Sequence, residues 1–277
     1  MILKDERTDK MNNRPIGVFD SGLGGLNVLK ELIKELPNEK YIYLGDTKRF
    51  PYGQKSQDAI IEIAKQNVDF LVKQGVKIIV IACGTVTSQA IEVLQKIYEV
   101  PIIGIIEPTV LNLRDRIDER DNTIGVIATK GTIRSCAWEK KISEYIPNAE
   151  IISVSAPLLA TMAEEGWISN KVAEYTVREY MKMFKHVDKL ILGCTHYPLF
   201  KELMRKELSN RIEIIDTGVE LAKYLKKKIS GFNLETSDSK TGEYELYLTD
   251  IDPTFATIAT SILNENINID EIKRLEV

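Results

Sequence analysis

The feature that most constrains this chain is the unbroken apolar run Ile78-Ile79-Val80-Ile81-Ala82. A strand with one wet face alternates apolar and polar side chains, so a run without polar breaks needs cover on both faces. Further strands are expected at Ile16–Phe19, Tyr41–Leu44, Val76–Ala82, Ile102–Ile106, 123–128, 149–154, 189–192 and 212–215. Between them the apolar residues return every three or four positions. Leu26, Leu29, Leu32, Ile33 and Leu36 form one stripe, with Lys30, Glu31, Lys34 and Glu35 facing water. Ile60, Ile61, Ala64, Val68, Leu71 and Val72 belong to another, with Ser56 as its N-cap and Gly75 just past its end. A further helix is expected from about Val86. Buried-type strands alternating with helices predict an α/β fold with parallel sheets covered on both faces.

The pattern repeats. Ile16-Gly17-Val18-Phe19-Asp20-Ser21 resembles Ile124-Gly125-Val126-Ile127-Ala128-Thr129. Lys77-Ile78-Ile79-Val80-Ile81-Ala82-Cys83 resembles Lys189-Leu190-Ile191-Leu192-Gly193-Cys194 at nearly the same separation. Two matches at one spacing predict two related α/β halves. Chance likeness is the alternative, because apolar strands draw on few residue types.

Composition removes several classes of function. A chain of 277 residues, 44% hydrophobic, buries enough core to fold without disulfides or metals. Its 41 acidic and 37 basic residues give a net charge of -4, which offers no surface for nucleic acid or an anionic membrane. The apolar runs are too short to span a bilayer. Three cysteines without paired spacing argue against a disulfide framework and for a reducing compartment, the cytoplasm. Residues 1–13 mix both charge signs, lack the apolar stretch of a signal peptide, and read as a flexible extension. Ser237–Thr241 reads as a surface loop.

In open parallel sheets ligands bind beyond the carboxyl ends of the strands. Two of the runs end in cysteine, as Ala82-Cys83-Gly84-Thr85 and Gly193-Cys194-Thr195-His196. A thiol between a strand and a helix N-terminus feels aligned peptide dipoles, which predicts a lowered pKa and a thiolate. If the halves face each other, the two sulfurs approach a shared cleft from opposite sides. To invert a stereocentre bearing an acidic hydrogen, a base takes the proton from one face and an acid delivers a proton to the other. Thiol and thiolate suit this because each becomes the other. Two inert buried cysteines are the plainer reading, and placement at two equivalent strand ends argues against it.

Other residues near strand ends leave choices open. Asp20 can orient a substrate ammonium or assist proton movement at Cys83, and the glycines after it can equally be turn punctuation. Gly22-Leu23-Gly24-Gly25 does not complete a dinucleotide-binding glycine pattern, because Asn27 occupies its last position. The loop Pro51-Tyr52-Gly53 can present N–H groups to a carboxylate or be an ordinary turn. His196 can relay protons or stabilise a thiolate, and its spacing from Cys194 does not fit a zinc site. His186 reads as solvated, Cys136 as packing within a helix beside Trp138, and Glu164 and Glu165 as a solvated helix face.

Taken together, Phe19-Asp20-Ser21-Gly22-Leu23-Gly24-Gly25-Leu26, Pro51-Tyr52-Gly53, Ala82-Cys83-Gly84-Thr85 and Gly193-Cys194-Thr195-His196-Tyr197-Pro198 resemble the glutamate racemases of the aspartate/glutamate racemase family. The likeness runs from Arg14 almost to the C-terminus. It implies two Rossmann-like (flavodoxin-like) domains with mainly parallel sheets, related by a pseudo-twofold, with the active site in the cleft between them. Residues 14–103 with 214–277 would form the first, through a returning C-terminal segment, and 104–213 the second. The resemblance further implies racemisation of L-glutamate to D-glutamate without pyridoxal phosphate, metal or other cofactor. The product would supply peptidoglycan synthesis, and so cell-wall biogenesis and cell shape, from a cytoplasmic homodimer.

Carried over residue by residue, Cys83 and Cys194 are the catalytic pair. Asp20 supports Cys83, and Glu164, preferred to Glu165, supports Cys194 together with His196. Substrate contacts fall to Asp20, Ser21, Pro51, Tyr52, Gly53, Gly84, Thr85, Thr195 and His196, with Thr129 and Thr132 as further candidates for a carboxylate. One departure stands out: family members often carry asparagine where this chain has Gly84, so an amide is absent and a tuned affinity is expected. The competing functions are an aspartate or hydantoin racemase of the same fold, a small-acid-binding protein without chemistry, and a decarboxylase needing one thiol. Neither of the last two needs both cysteines.

Overall fold

In a computed structural model, residues 12–117, 123–232, 234–237 and 242–277 are described. Most of the expected extension and of the Ser237–Thr241 loop lies outside them. The apolar runs are strands, and every strand pair is parallel. β1 (Ile16–Asp20), β2 (Tyr41–Gly45), β3 (Ile78–Ile81) and β4 (Ile102–Gly104) belong to one sheet. β5 (Thr123–Ala128), β6 (Glu150–Ser155), β7 (Lys189–Leu192) and β8 (Glu213–Asp216) form a second. The orders are β2-β1-β3-β4 and β6-β5-β7-β8, so the sequence repeat is a repeat of topology. Ile16 faces Tyr41 and Ile78 across the first centre, and Ile124 faces Ile151 and Lys189 across the second.

Two strands have no counterpart in the expectations. β9 (Tyr244–Leu248) pairs with β2, and β10 (Lys273–Arg274) extends the first sheet beyond it. Both belong to the returning C-terminal segment. The run expected as a strand over Ile102–Ile106 stops at Gly104, because Ile106 opens a helix and keeps its burial there. The expected domain divisions after residues 103 and 213 fall inside β4 and β8, each of which completes a sheet.

The helices follow from the stripes. They are α1 (Gly25–Glu35), α2 (Gln57–Lys73), α3 (Gly84–Ile97), α4 (Ile106–Arg114), α5 (Lys130–Ser135) and α6 (Ala137–Tyr145). Then come α7 (Pro157–Glu164), α8 (Lys171–Met181), α9 (Lys201–Glu207), α10 (Thr217–Gly231) and α11 (Pro253–Leu263). Ser56 caps α2 as expected, its Oγ accepting the Ala59 N–H at 3.3 Å. Cys136 corrects the reading of a packed cysteine inside a helix. It is exposed, with φ at 53°, and separates α5 from α6, while Trp138 beyond it is fully buried.

One core cluster runs through both halves. It joins Ile16, Val18, Leu26 and Leu29 to Ile124 and Val126 by way of Val110, Leu113, Leu221 and Leu225. Each such side chain contributes about 1.5–3 kcal/mol of burial, so the halves are anchored through α4 and α10 as well as through chain connections. α10 follows β8 of the second sheet yet packs on α1 and α4. The carboxyl ends of β1, β3, β5 and β7 are left to meet at a common cleft. Among the described residues no helix is long and apolar enough to cross a membrane.

Candidate active site

Cys83 is the residue at which β3 gives way to α3, and Cys194 lies just past the end of β7. Both are buried and free, and both line one cavity of about 500 Å³, its mouth included. Ser21, Pro51, Tyr52, Gly53, Gly84, Thr85, Thr129, Thr195 and His196 of the expected set complete its wall. Asp20, Glu164 and Thr132 stand behind that wall. Phe50, Gln54, Lys130, Pro157, Ala160, Thr161 and Gly193 also line it and were not foreseen. Lys130, which follows Thr129 directly after β5, could have been found by the strand-end rule.

On the Cys83 side, the thiol donates to Ser21 Oγ at 3.8 Å. Burial pushes this thiol up to about 12, and the nearby Asp20 charge adds to the rise. The Val86 N–H at the start of α3 and the Ser21 hydroxyl act in the opposite direction and lose. This overturns the expected thiolate at Cys83: the helix N-terminus is felt, but removal from water outweighs it.

Asp20 is fully buried. Its Oδ2 accepts the N–H groups of Gly22 and Gly25 at 3.2 and 3.1 Å, and its Oδ1 accepts the Thr195 hydroxyl at 3.2 Å. Burial raises the Asp20 carboxyl above its ordinary range, with His196 and the two N–H groups opposing. Gly25 is required by this turn, since a Cβ there would overlap Asp20 and lie 2.7 Å from Tyr43 Oη. The Tyr43 hydroxyl donates to the Gly22 carbonyl at 2.6 Å and holds the loop from below.

The Cys194 side is built differently. Its sulfur lies 3.6 Å from His196 Nδ1, and His196 Nε2 lies 2.6 Å from Glu164 Oε1. Burial opposes charge on this imidazole, but Cys194 and Glu164 outweigh it and raise His196 well above its ordinary 6.5. A cation at His196 can hold a negative sulfur beside it. Glu164 is the last residue of α7, whose first is Pro157, and only Glu165 has the exposed position expected for both. His186 is exposed, as read from sequence.

Several bonds join the two halves over the cavity. Leu23 N–H donates to Glu164 Oε1 at 2.9 Å, and Asn27 Nδ2 donates to the Thr195 carbonyl at 2.9 Å. Gly131 N–H donates to the Gly53 carbonyl at 2.9 Å. The Thr85 and Thr129 hydroxyls are 2.9 Å apart, and Thr129 is 3.0 Å from Thr132 behind it. Asn27 is therefore a bridge between halves, which its place in a broken glycine pattern did not suggest.

The Pro51-Tyr52-Gly53 loop is held by Asp46, a buried acid that follows β2. The Tyr52 hydroxyl donates to Asp46 and accepts from Asn67 Nδ2 at 3.2 Å, so it is engaged within the wall. Arg49 Nε at 2.6 Å and the Thr249 hydroxyl at 2.9 Å complete the acid's partners. Asp46 stands at a strand end like Asp20, and that signal was available in the sequence. Among the described residues, no three His, Cys, Asp or Glu side chains gather as a metal site.

Two similar parallel halves thus bring two thiols to one cavity, with the buried Asp20 behind Cys83 and the partly exposed Glu164 behind Cys194. The chain belongs to the Asp/Glu/Hydantoin racemase family, whose model matches residues 16–225. It is 38% identical over 252 residues to a glutamate racemase of Geobacter metallireducens, covering 90% of this chain and 93% of the relative. Among solved structures, the glutamate racemase of Francisella tularensis in complex with D-glutamate is similar with a TM-score of 0.87 and 38% identity, over 96% of this chain and 98% of that one. The glutamate racemase RacE1 of Bacillus anthracis is similar with a TM-score of 0.90 and 30% identity, over the same shares of each chain.

Proposed function

We propose that this chain interconverts L- and D-glutamate by a two-base mechanism in which Cys83 and Cys194 exchange roles. The observation that carries the reading is the placement of both sulfurs, from equivalent strand ends, on the wall of one cavity. In one direction the Cys194 thiolate, beside His196 and Glu164, removes the α-hydrogen from one face of the substrate. The Cys83 thiol, kept protonated by burial, delivers its proton to the opposite face. The enzyme is left with a thiol at Cys194 and a thiolate at Cys83, which is the starting state for the reverse direction. Asp20 acts on Cys83 through its charge rather than from the cavity wall.

The hydroxyls of Ser21, Thr85, Thr129 and Thr195, with Thr132 behind them, and the N–H groups of Gly53 and Gly84 receive the substrate's polar groups. Glutamate is favoured over aspartate or a hydantoin by the relatives at 36–38% identity and by the solved relative that holds D-glutamate. On the same resemblance we infer that the product supplies peptidoglycan, that the protein acts in the cytoplasm, and that it works as a homodimer. We treat the two halves as domains that close over the substrate.

Incubation with each enantiomer in D₂O tests this reading. Deuterium is expected at Cα as optical rotation decays, without added pyridoxal phosphate. Cys83→Ala and Cys194→Ala are each expected to lose about 10³-fold or more of the racemisation rate. Wild-type turnover by either variant excludes the two-base assignment. Faster racemisation of aspartate than of glutamate excludes the substrate, and binding without Cα exchange points to a non-catalytic receptor.

A further inference from the structure

Tyr41 and Tyr43 stand two residues apart on β2, so their side chains leave the same face of the sheet. Both are fully buried, and the hydroxyl of each donates to backbone carbonyls. Tyr41 reaches the Leu32 and Leu36 carbonyls at 2.9 Å each and ties down the far end of α1. Tyr43, nearer the carboxyl end of the strand, reaches the Gly22 carbonyl at 2.6 Å instead. It lies outside the cavity wall, and no step of the two-thiol reaction uses its proton.

The turn that Tyr43 holds faces both thiols. Its Gly22 N–H donates to Asp20 Oδ2 at 3.2 Å, behind Cys83. Its Leu23 N–H donates across the cleft to Glu164 Oε1 at 2.9 Å, and that same oxygen lies 2.6 Å from His196 Nε2, beside Cys194. The Gly22 carbonyl and the Leu23 N–H belong to one trans peptide plane, so they point in opposite directions. Tyr43 thus grips one end of a peptide whose other end grips Glu164. There is little slack around it: a Cβ at Gly22 would overlap Glu164 Oε1, and one at Gly45 would lie 3.1 Å from the Gly22 carbonyl oxygen. Burial raises the Tyr43 phenol well above its ordinary 10, and the charges of Asp20, Glu164 and Cys83 add to the rise. The hydroxyl keeps its proton and stays a donor.

We infer that Tyr43 is a positioning residue whose hydroxyl, acting through the Gly22–Leu23 peptide, orients Glu164 and the Asp20 turn against the two thiols. This role presupposes the two-thiol reading above and adds a determinant of its geometry. A bond donated to the carbonyl polarises the peptide and strengthens what its N–H donates in turn. Without the hydroxyl, the Gly22 carbonyl is left buried and short of a donor, and the turn shifts to relieve it. Tyr41 is the internal contrast, a like hydroxyl on the same strand whose carbonyls lie at the other end of α1.

The test compares Tyr43→Phe with Tyr41→Phe by thermal melting, by kcat and KM for both enantiomers, and by the amide resonance of Leu23 in ¹⁵N-labelled protein. Each variant keeps its ring and loses one buried hydrogen bond, so both are expected to fold and to melt somewhat lower than wild type. In Tyr43→Phe, kcat is expected to fall about 5- to 20-fold with a smaller change in KM, since a small misplacement near the reacting groups is costly in rate. The Leu23 amide proton should move upfield as its bond to Glu164 weakens. In Tyr41→Phe, kcat and the Leu23 resonance should stay as in wild type. Wild-type kcat in Tyr43→Phe overturns the role, and so does an equal fall in both variants or an unmoved Leu23 resonance. A Tyr43→Phe that fails to fold while Tyr41→Phe folds overturns it too, because the hydroxyl is then a prop for the fold alone. The resonance is read without substrate, whereas a wild type that exchanges no Cα hydrogen in D₂O sinks the two-thiol reading itself.

Discussion

Cys83 and Cys194 follow equivalent strands, β3 and β7, of sheets wound in the same order, yet their surroundings differ. Cys83 has a hydroxyl and a buried acid near it, and its thiol is pushed up to about 12. Cys194 has an imidazole at 3.6 Å that is itself held by a carboxylate at 2.6 Å. The duplicated backbone supplies the symmetry and the side chains break it, so that one end is stocked with a proton and the other with a place for negative charge. Enantiomers have equal free energy, so this asymmetry cannot favour a product.

The largest test of that contrast is Glu164→Gln. The amide oxygen can still accept from Leu23 and His196, so the shape is kept and the charge is lost. We expect kcat to fall about 10²-fold. Because the equilibrium between enantiomers is fixed, kcat/KM must fall by one factor in both directions. The alkaline limb of the pH–rate profile should move to lower pH as His196 loses a group that keeps it charged. Stability carries the same sign. His196 titrates in the folded chain above its ordinary 6.5, so its contribution is whole below that value and is lost as pH rises through the folded value. The gap in melting temperature between wild type and variant should be widest in mild acid and close in alkali. An unmoved alkaline limb would separate the His196–Glu164 pair from the chemistry.

Asp20→Asn probes the other end with a smaller effect. Asp20 is the second cause, after burial, of the raised Cys83 thiol. Its removal should lower that pKa and speed alkylation of Cys83 by iodoacetamide roughly tenfold at fixed alkaline pH. In wild type near neutrality, Cys194 should be labelled before Cys83, and peptide mapping reads the order directly. If Cys83 is labelled first, the contrast is reversed.

Sequence and structure agree where the physics is local. β1, β2, β3, β5 and β7 are dictated by apolar side chains that need cover on both faces, and the strand-end rule reaches both cysteines, Asp20 and His196. β9 was out of reach because Glu245 interrupts its run and its register is set by β2, far away in the chain. The two residues of β10 are exposed and carry no pattern at all. Nothing local marks Cys136 as a helix break, since neither glycine nor asparagine occupies the left-handed position. Glu164 reads as a solvated helix residue until His196 is brought to it, and the resemblance alone singled it out. The Cys83 thiolate failed for the same reason: a motif shows the helix dipole but not the burial or the Asp20 charge.

The smallest expected effect concerns the cavity mouth. Lys130, at the start of α5 in the half that carries Cys194, is exposed and, among the described residues, is the one Lys or Arg that lines the cavity. Around it the lining is mostly hydroxyl and backbone, with Asp20 and Glu164 behind, so a dicarboxylate finds mobile positive charge on one side only. An exposed ion pair is worth about 0.2–1 kcal/mol and is screened by salt. Lys130→Ala is therefore expected to raise KM for glutamate roughly two- to fivefold, leave kcat nearly unchanged, and flatten the salt dependence of kcat/KM. Lys130→Arg should restore most of the loss. Equal KM in Lys130→Ala and wild type at low salt would mean that the positive side of the cavity ends at His196, and the electrostatic contrast between the halves would then be confined to the buried groups.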